Sequence, residues 1–245
     1  MEKILELKHV AKTFDHRVVH KDVSFHLHRG EILGLLGNSG TGKSVILRSI
    51  IGLEVIDSGE ILYHGNRIDQ LPEKKLFSVR KSISYAFQSG ALFDSISVFE
   101  NVAYPFFEHT KLKEPEIEKK VMEILRIVKM EEAWDKMPSE ISGGMQKRVG
   151  LARSMALEPE ILLYDEPTAG LDPVNVEMVL DVMRVAKARG SSGIFVTHDI
   201  PAASKICDRF IIIKDGRVAF EGTWQNMEDS TDPFIQSFLT GSEKV

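Results

Sequence analysis

The sequence predicts an α/β fold in which a largely parallel sheet is preceded by an antiparallel β region and interrupted by a helical block. Three observations predict it. Short β-type segments fill the first 66 residues or so, a helical pattern takes over at residues 98–157, and strand and helix alternate from residue 161 to residue 213.

Residues 4–10, 23–27 and 59–63 read as strands, the second through the alternation of Val23, Phe25 and Leu27. The run at 32–36 is apolar throughout, as a strand covered on both faces must be. A helix follows it, carries Val45, Ile46, Leu47, Ile50 and Ile51, and ends near Gly52. In the middle block Ile117, Val121, Leu125 and Val128 recur at three- and four-residue steps, which places them on one helix face. Residues 161–164, 193–197 and 210–213 then read as strands alternating with helical segments at 174–188 and 202–207. After Asp232-Pro233 the chain reads as a short helix with a polar tail. The expected organisation is one domain over residues 1–245. Its core comprises about 1–90 and 158–222 and includes the β region, about 91–157 form a helical subdomain, and 223–245 form the terminal helix and tail.

A length of 245 residues with 43% hydrophobic and 27% charged content fits a folded globular chain. The formal charge of −5 argues against nucleic acid as a ligand, because gripping phosphate backbones requires a basic face. Cys207 is the single cysteine, so no intrachain disulfide forms, and the start at Met1-Glu2-Lys3 lacks the apolar core of a secretory signal. A cytoplasmic location is expected. The densest apolar runs have strand length and fall far short of the roughly 20 residues that span a bilayer. Any work at a membrane therefore needs another chain to supply the span.

The strongest local signal is Gly37-Asn38-Ser39-Gly40-Thr41-Gly42-Lys43-Ser44, a complete G-x-x-x-x-G-K-[ST] between a buried strand and an amphipathic helix. Glycines let successive backbone N–H groups converge on phosphate oxygens, and the helix that runs on through Val45 adds the positive end of its dipole. Lys43 is expected to face the β- and γ-phosphates, and Ser44 to hold Mg²⁺. The strand at 161–164 leads into Asp165 and Glu166, two carboxylates at the sheet edge where α/β proteins bind ligands. Asp165 is expected on the metal side, with Glu166 accepting a proton from the attacking water. Ser142-Gly143-Gly144 opens a helix and makes a second phosphate-binding N-terminus. Two anion sites on one chain imply two chains sharing nucleotide.

With these three motifs in this order, the sequence resembles the ATP-binding cassette family over nearly its whole length. The resemblance implies an ABC-type P-loop NTPase fold, an ATPase that binds ATP and Mg²⁺, and an ATP-dependent homodimer. It also implies that Phe14 stacks on adenine, Gln88 senses Mg²⁺ and water, Asp172 belongs to the dimer-interface loop, and His198 contacts the γ-phosphate. Met145 stands where many members have glutamine after Ser-Gly-Gly, and Gln146 follows it. Phosphate contacts come from Ser142 and backbone N–H groups, so this departure is expected to cost little. His26-x-His28 offers two imidazoles without a third ligand and reads as an exposed strand face. Trp134 and Trp224 read as packing residues.

Phe87-Gln88-Ser89-Gly90-Ala91-Leu92-Phe93-Asp94, Asn101-Val102-Ala103-Tyr104-Pro105 and Glu108-His109-Thr110, with Pro138-Ser139-Glu140 ahead of the signature, resemble the Mla-type ATPases that serve MCE-protein lipid transporters. That resemblance implies a membrane permease and an MCE-domain lipid-binding protein as partners, with this chain peripheral at the cytoplasmic face of the inner membrane. An ATPase of an amino-acid-type importer or of a lipoprotein-release system is the alternative among transporters. A soluble ABC ATPase acting on ribosomes or DNA is the alternative from another class, and it usually brings two cassettes or a long coiled-coil insert that this chain lacks. A kinase or GTPase with the same phosphate loop leaves Ser142-Gly143-Gly144 unexplained.

Overall fold

The computed structural model describes residues 2–240, and the polar tail expected beyond Thr240 lies outside the described residues. The chain divides into two compact units, one formed by Met1–Leu76 with Ile194–Val245 and the other by Phe77–Gly193.

The first unit opens with a long hairpin, β1 (Lys3–Phe14) and β2 (Arg17–His28), turned by Asp15 and His16 in positive-φ conformations. Both strands outrun the apolar alternation that marks them in the sequence. Beyond Val10 and before Val23 most side chains are exposed or half-exposed, and cross-strand pairing from Val10↔Val23 to Phe14↔Arg17, broken by register shifts, sustains them instead. Next come β3 (Ile32–Leu36), buried at every residue, α1 (Lys43–Ile50), β4 (Ser58–Tyr63) and the short β5 (Asn66–Arg67).

The chain passes into the second unit along α2 (Glu73–Ser82), which leads to β6 (Ile83–Ala86). Three helices follow: α3 (Val98–His109), started by a capping box between Ser97 and Glu100, α4 (Glu114–Ile127) and α5 (Gly143–Met155). Ile117, Val121, Leu125 and Val128 are all buried, as their spacing predicts. The fully buried β7 (Ile161–Asp165) pairs in parallel with β6, from Ile83↔Ile161 to Ala86↔Tyr164. Helix α6 (Pro173–Ala188) leads to β8 (Ser192–Val196), which carries the chain back to the first unit.

There α7 (Ile200–Ser204), β9 (Arg209–Lys214), β10 (Arg217–Gly222), α8 (Trp224–Glu228) and α9 (Pro233–Thr240) complete the described chain. Strands of this unit run in the order β5-β4-β1-β2-β10-β9-β3. The β3–β9 pair is parallel, whereas β1–β2, β1–β4 and β9–β10 are antiparallel. A parallel pair thus ends at the phosphate loop, with the antiparallel region lying toward the other side of the same unit. Arg209 ties the base of the parallel pair through ion pairs with Glu31 and Glu221, while Asp208 accepts from the Ile32 N–H at 2.7 Å. Trp224 packs on Phe210 with ring centroids 5.7 Å apart, in keeping with its expected role. Trp134 packs edge-on against Phe99, while 48% of it stays exposed.

Candidate functional site

The predicted site residues fall into two sets, one on each unit. In the first unit the buried β3 delivers the chain into a loop whose glycines are sterically required. A Cβ on Gly37 would lie 2.7 Å from the Ile213 carbonyl oxygen, and one on Gly42, which has φ +88°, would lie 2.3 Å from the Val19 side chain and 2.5 Å from His20 Nε2. Only a residue without a side chain lets the loop close so tightly above β9 and β2. Lys43 is 5% exposed, and its ammonium donates to the carbonyls of Gly37 at 2.8 Å and Asn38 at 2.9 Å. Its charge is thereby held against the loop backbone. Ser44 and Val45 follow in the first turn of α1, and Thr41 closes the turn through Asn38.

The tip of the β1–β2 hairpin approaches this loop. A Cβ on Gly40 would meet the Arg17 guanidinium at 3.9 Å, and Phe14, half-buried, ends β1 opposite Arg17. Lys12 sits 4.6 Å from the Phe14 ring centroid. Behind the loop His20 is buried and packs beneath Gly42, and desolvation holds its imidazole below the ordinary histidine range. His198 is exposed just past β8, between the buried Thr197 and Asp199, whose carboxylate caps α7 by accepting from the Ala202 N–H at 2.9 Å.

In the second unit Asp165 ends β7 and Glu166 leaves it at φ +46°, a left-handed conformation that a glutamate adopts only under constraint. The following turn provides that constraint through Ala169 N–H to Glu166 O at 3.1 Å and Leu171 N–H to Thr168 O at 3.2 Å. Two neighbours carry no sequence signature of their own. Tyr85, on the adjacent β6, donates its hydroxyl to Asp165 Oδ2 at 2.6 Å. Lys147 of α5 donates its ammonium to the Ala169 carbonyl; burial pushes that ammonium below the usual lysine range, and the nearby Glu166 charge partly offsets the shift. Parallel pairing and a helix crossing bring these groups together over long sequence separations.

Tyr85 therefore orients the Asp165 carboxylate through its Oδ2. Tyr85→Phe removes that donor without changing the ring. The Mg²⁺ concentration needed for half-maximal hydrolysis is expected to rise by about tenfold, the lower end of what outer-shell partners of metal ligands contribute. Titrating Mg²⁺ at fixed ATP checks this, and an unchanged requirement refutes it.

Gln88 is exposed at the start of the loop after β6. Two side chains pin this loop. Asn101, fully buried, donates to the carbonyls of Phe93, Ile96 and Ser97 and accepts from the Phe93 N–H at 2.9 Å. Arg153 donates to the carbonyls of Gly90 and Ala91 and lies 5.3 Å from the Phe93 ring centroid. Gly150 of α5 packs so closely on Gly90 that a Cβ would come within 2.5 Å of the Gly90 Cα. The segment resembling the Mla-type ATPases thus forms a fixed loop beside a groove of about 320 Å³ lined by Arg80, Lys81, Phe87, Phe93, Tyr104 and Arg153.

Ser142 caps α5 by accepting from the Met145 N–H at 3.3 Å, while Gly143 is exposed and Gly144 half-buried. Gln146 turns away from the helix start and donates to the Pro138 carbonyl at 2.8 Å. Its place one position after Met145 therefore gives it a loop-holding role. Asp172 caps α6, accepting from the Val174 and Asn175 N–H groups and from the Asn175 amide, which holds its carboxyl below the ordinary range. Among the described residues no cluster of His, Cys, Asp and Glu forms a metal site of its own, and His28 pairs with Glu31 at 3.2 Å.

The chain matches the sequence profile described as "ABC transporter" over residues 20–169. It is 38% identical over 239 residues to the intermembrane phospholipid transport system ATP-binding protein MlaF of Escherichia coli K12, covering 97% of this chain and 89% of that protein. The chloroplastic protein TRIGALACTOSYLDIACYLGLYCEROL 3 of Arabidopsis thaliana is 38% identical over 257 residues, with 98% and 74% covered. Among solved structures, a dimeric ATP-binding cassette in a post-hydrolysis state bound to ADP and Pi superposes with a TM-score of 0.84 at 30% identity, over 90% of this chain and 98% of that one.

Proposed function

The chain belongs to the ABC transporter family and is an ATP-binding ATPase, and from that premise we propose that it energises phospholipid or related lipid movement through a separate membrane permease. The lipid reading is carried by the likeness to a phospholipid-transport ATPase over 97% of this chain. No helix among the described residues is long and apolar enough to cross a membrane.

The residues fit Mg-ATP. Gly37 and Gly42 let the loop close against β9 and β2, Lys43 supplies the cation, and Phe14 offers a ring near the loop for adenine. Ser44 and Asp165 are the residues that would hold Mg²⁺, which when bound neutralises and orients phosphate oxygens. Glu166 takes a proton from the attacking water, Gln88 senses water and metal, and His198 holds the γ-phosphate. Ser142, Gly143 and Gly144 cap the nucleotide of a second copy, and Asp172 lies in the loop facing that copy. The dimeric, ADP-bound relative supports this arrangement.

The groove beside the Gln88 loop is where a permease would read the nucleotide state. Arg80, Lys81 and Arg153 around Phe87, Phe93 and Tyr104 suit a short helix that presents apolar side chains and a carboxylate. Such a permease, joined by an MCE-domain protein that holds the lipid, places this chain at the cytoplasmic face of the inner membrane.

Phe93 is 43% exposed, so an aspartate there is tolerated by the fold and offensive to an apolar partner. Phe93→Asp is expected to release the chain from the solubilised complex, or to uncouple it, while nucleotide binding persists. Native mass spectrometry of the wild-type complex decides the partners. An amino-acid-type permease with neither an MCE-domain companion nor bound lipid would sink the lipid reading and leave the ATPase standing.

A further inference from the structure

The second unit carries another groove, of about 850 Å³, between α3, α4 and the Trp134-Asp135 segment that follows the short 3₁₀ turn Glu131–Ala133. Its apolar part is aromatic: Phe107 is 52% exposed, Trp134 is 48% exposed, and Phe99 meets Trp134 edge-on with centroids 6.2 Å apart. Two large rings half in water on one concave surface are costly unless something covers them. Its polar part is acidic. Glu114, Glu118 and Asp135 line the groove with no hydrogen-bond or ion-pair partner among the described residues, and no lysine or arginine lines it. Glu100, the remaining carboxylate, accepts from the Ser97 N–H and hydroxyl, which hold it below the ordinary range.

This charge is opposite to that of the groove beside the Gln88 loop, where Arg80, Lys81 and Arg153 stand among the aromatic rings. A segment that suits one groove is repelled by the other. The acidic groove therefore does not duplicate the permease contact. Aromatic faces edged by carboxylates bind a lysine or arginine through its charge and its stem together, with cation–π attraction to Trp134 adding to ion pairing.

We propose that the groove formed by Phe99, Phe107 and Trp134 with Glu114, Glu118 and Asp135 docks a cationic amphipathic helix of an accessory protein, separate from the permease. The helix lays its apolar stripe on the rings and brings lysines or arginines to the carboxylates. The cargo does not enter into this inference, which stands or falls apart from the lipid reading.

The test uses the full chain and two fluorescent synthetic helices of about sixteen residues with the same leucine-phenylalanine stripe, one flanked by lysines and the other by glutamates, followed by anisotropy. The lysine helix is expected to bind, and to bind less as salt screens the carboxylates. Trp134→Ala is expected to weaken it at least about tenfold, the loss typical of a central aromatic anchor. Glu114→Lys with Glu118→Lys is expected to transfer preference to the glutamate helix. These variants lie outside the nucleotide machinery and keep basal ATP hydrolysis, which confirms their folding. The proposal is overturned by equal binding of both helices, by binding of neither, or by affinity that survives Trp134→Ala and the charge reversals. Concentration-dependent self-association of the chain alone, abolished by Trp134→Ala, would assign the groove to a second copy and overturn it as well.

Discussion

Glu166→Gln is expected to lower ATP turnover by about 10²- to 10⁴-fold, the usual contribution of a positioned general base, while leaving ATP affinity near its original value. Strand β7 is buried at every residue, which gives Asp165 and the turn after it a rigid origin. At φ +46° the Glu166 backbone is held by the turn through Ala169, which sets the direction in which its side chain leaves the strand end. Glutamine preserves the size and the turn but accepts no proton. The Lys147 ammonium beside Glu166 loses its counter-charge, a change that affects electrostatics without removing a phosphate contact. With hydrolysis blocked, ATP is expected to accumulate a dimer in which Ser142 of one copy faces Lys43 of the other. Steady-state hydrolysis, equilibrium ATP binding and light scattering check the three parts, in the assembled complex as well as on the chain alone. Near-normal turnover removes Glu166 from the role, and a persistently one-chain ATP site removes the shared-nucleotide arrangement.

His198→Ala is expected to reduce turnover by about 10²- to 10³-fold, comparable with losing one donor to a charge-developing oxygen, with ATP binding changed far less. The exposed imidazole follows β8 directly, and Thr197 and the capped start of α7 fix the backbone on either side of it. Truncating it is expected to remove the proposed contact to the reacting phosphate and to leave the fold alone. Phe14→Ala is the counterpart. Losing the ring at the end of β1 is expected to weaken nucleotide binding by about 1–3 kcal/mol, taking base–aromatic stacking as the guide, with turnover at saturating ATP largely retained. Measured side by side, the two variants separate holding the nucleotide from hydrolysing it. Matching profiles would show that at least one residue has been assigned the wrong part.

Local chemistry made much of this protein readable in one dimension. Gly37 through Ser44 announces a phosphate loop because the backbone itself binds, and backbone binding demands glycines at fixed spacing between a strand and a helix. The apolar runs that became β3 and β7 were legible because strands buried on both faces contain nothing else. Helix periodicity marked α4, and Ser142 marked the start of α5 through the side-chain oxygen that caps it.

Residues whose meaning lies in a distant neighbour were not legible. Tyr85 reads as one residue of a four-residue strand, and only the β6–β7 pairing places its hydroxyl 2.6 Å from Asp165, 80 positions on. Strand β10 and helix α2 carry too little apolar pattern to stand out, because β10 alternates between exposed and half-buried and α2 is largely polar. Trp134 shows the limit most clearly. Its type predicts burial, yet the packing of α3 against α4 leaves its ring half exposed, because the space over it is bordered by carboxylates rather than filled by the chain. The sequence by itself determined the phosphate loop, the carboxylate pair and the signature, whose chemistry is local to the backbone that carries them. Tertiary structure alone decided which side chains support those groups and which surfaces stay open, because both depend on what the folded chain brings into contact.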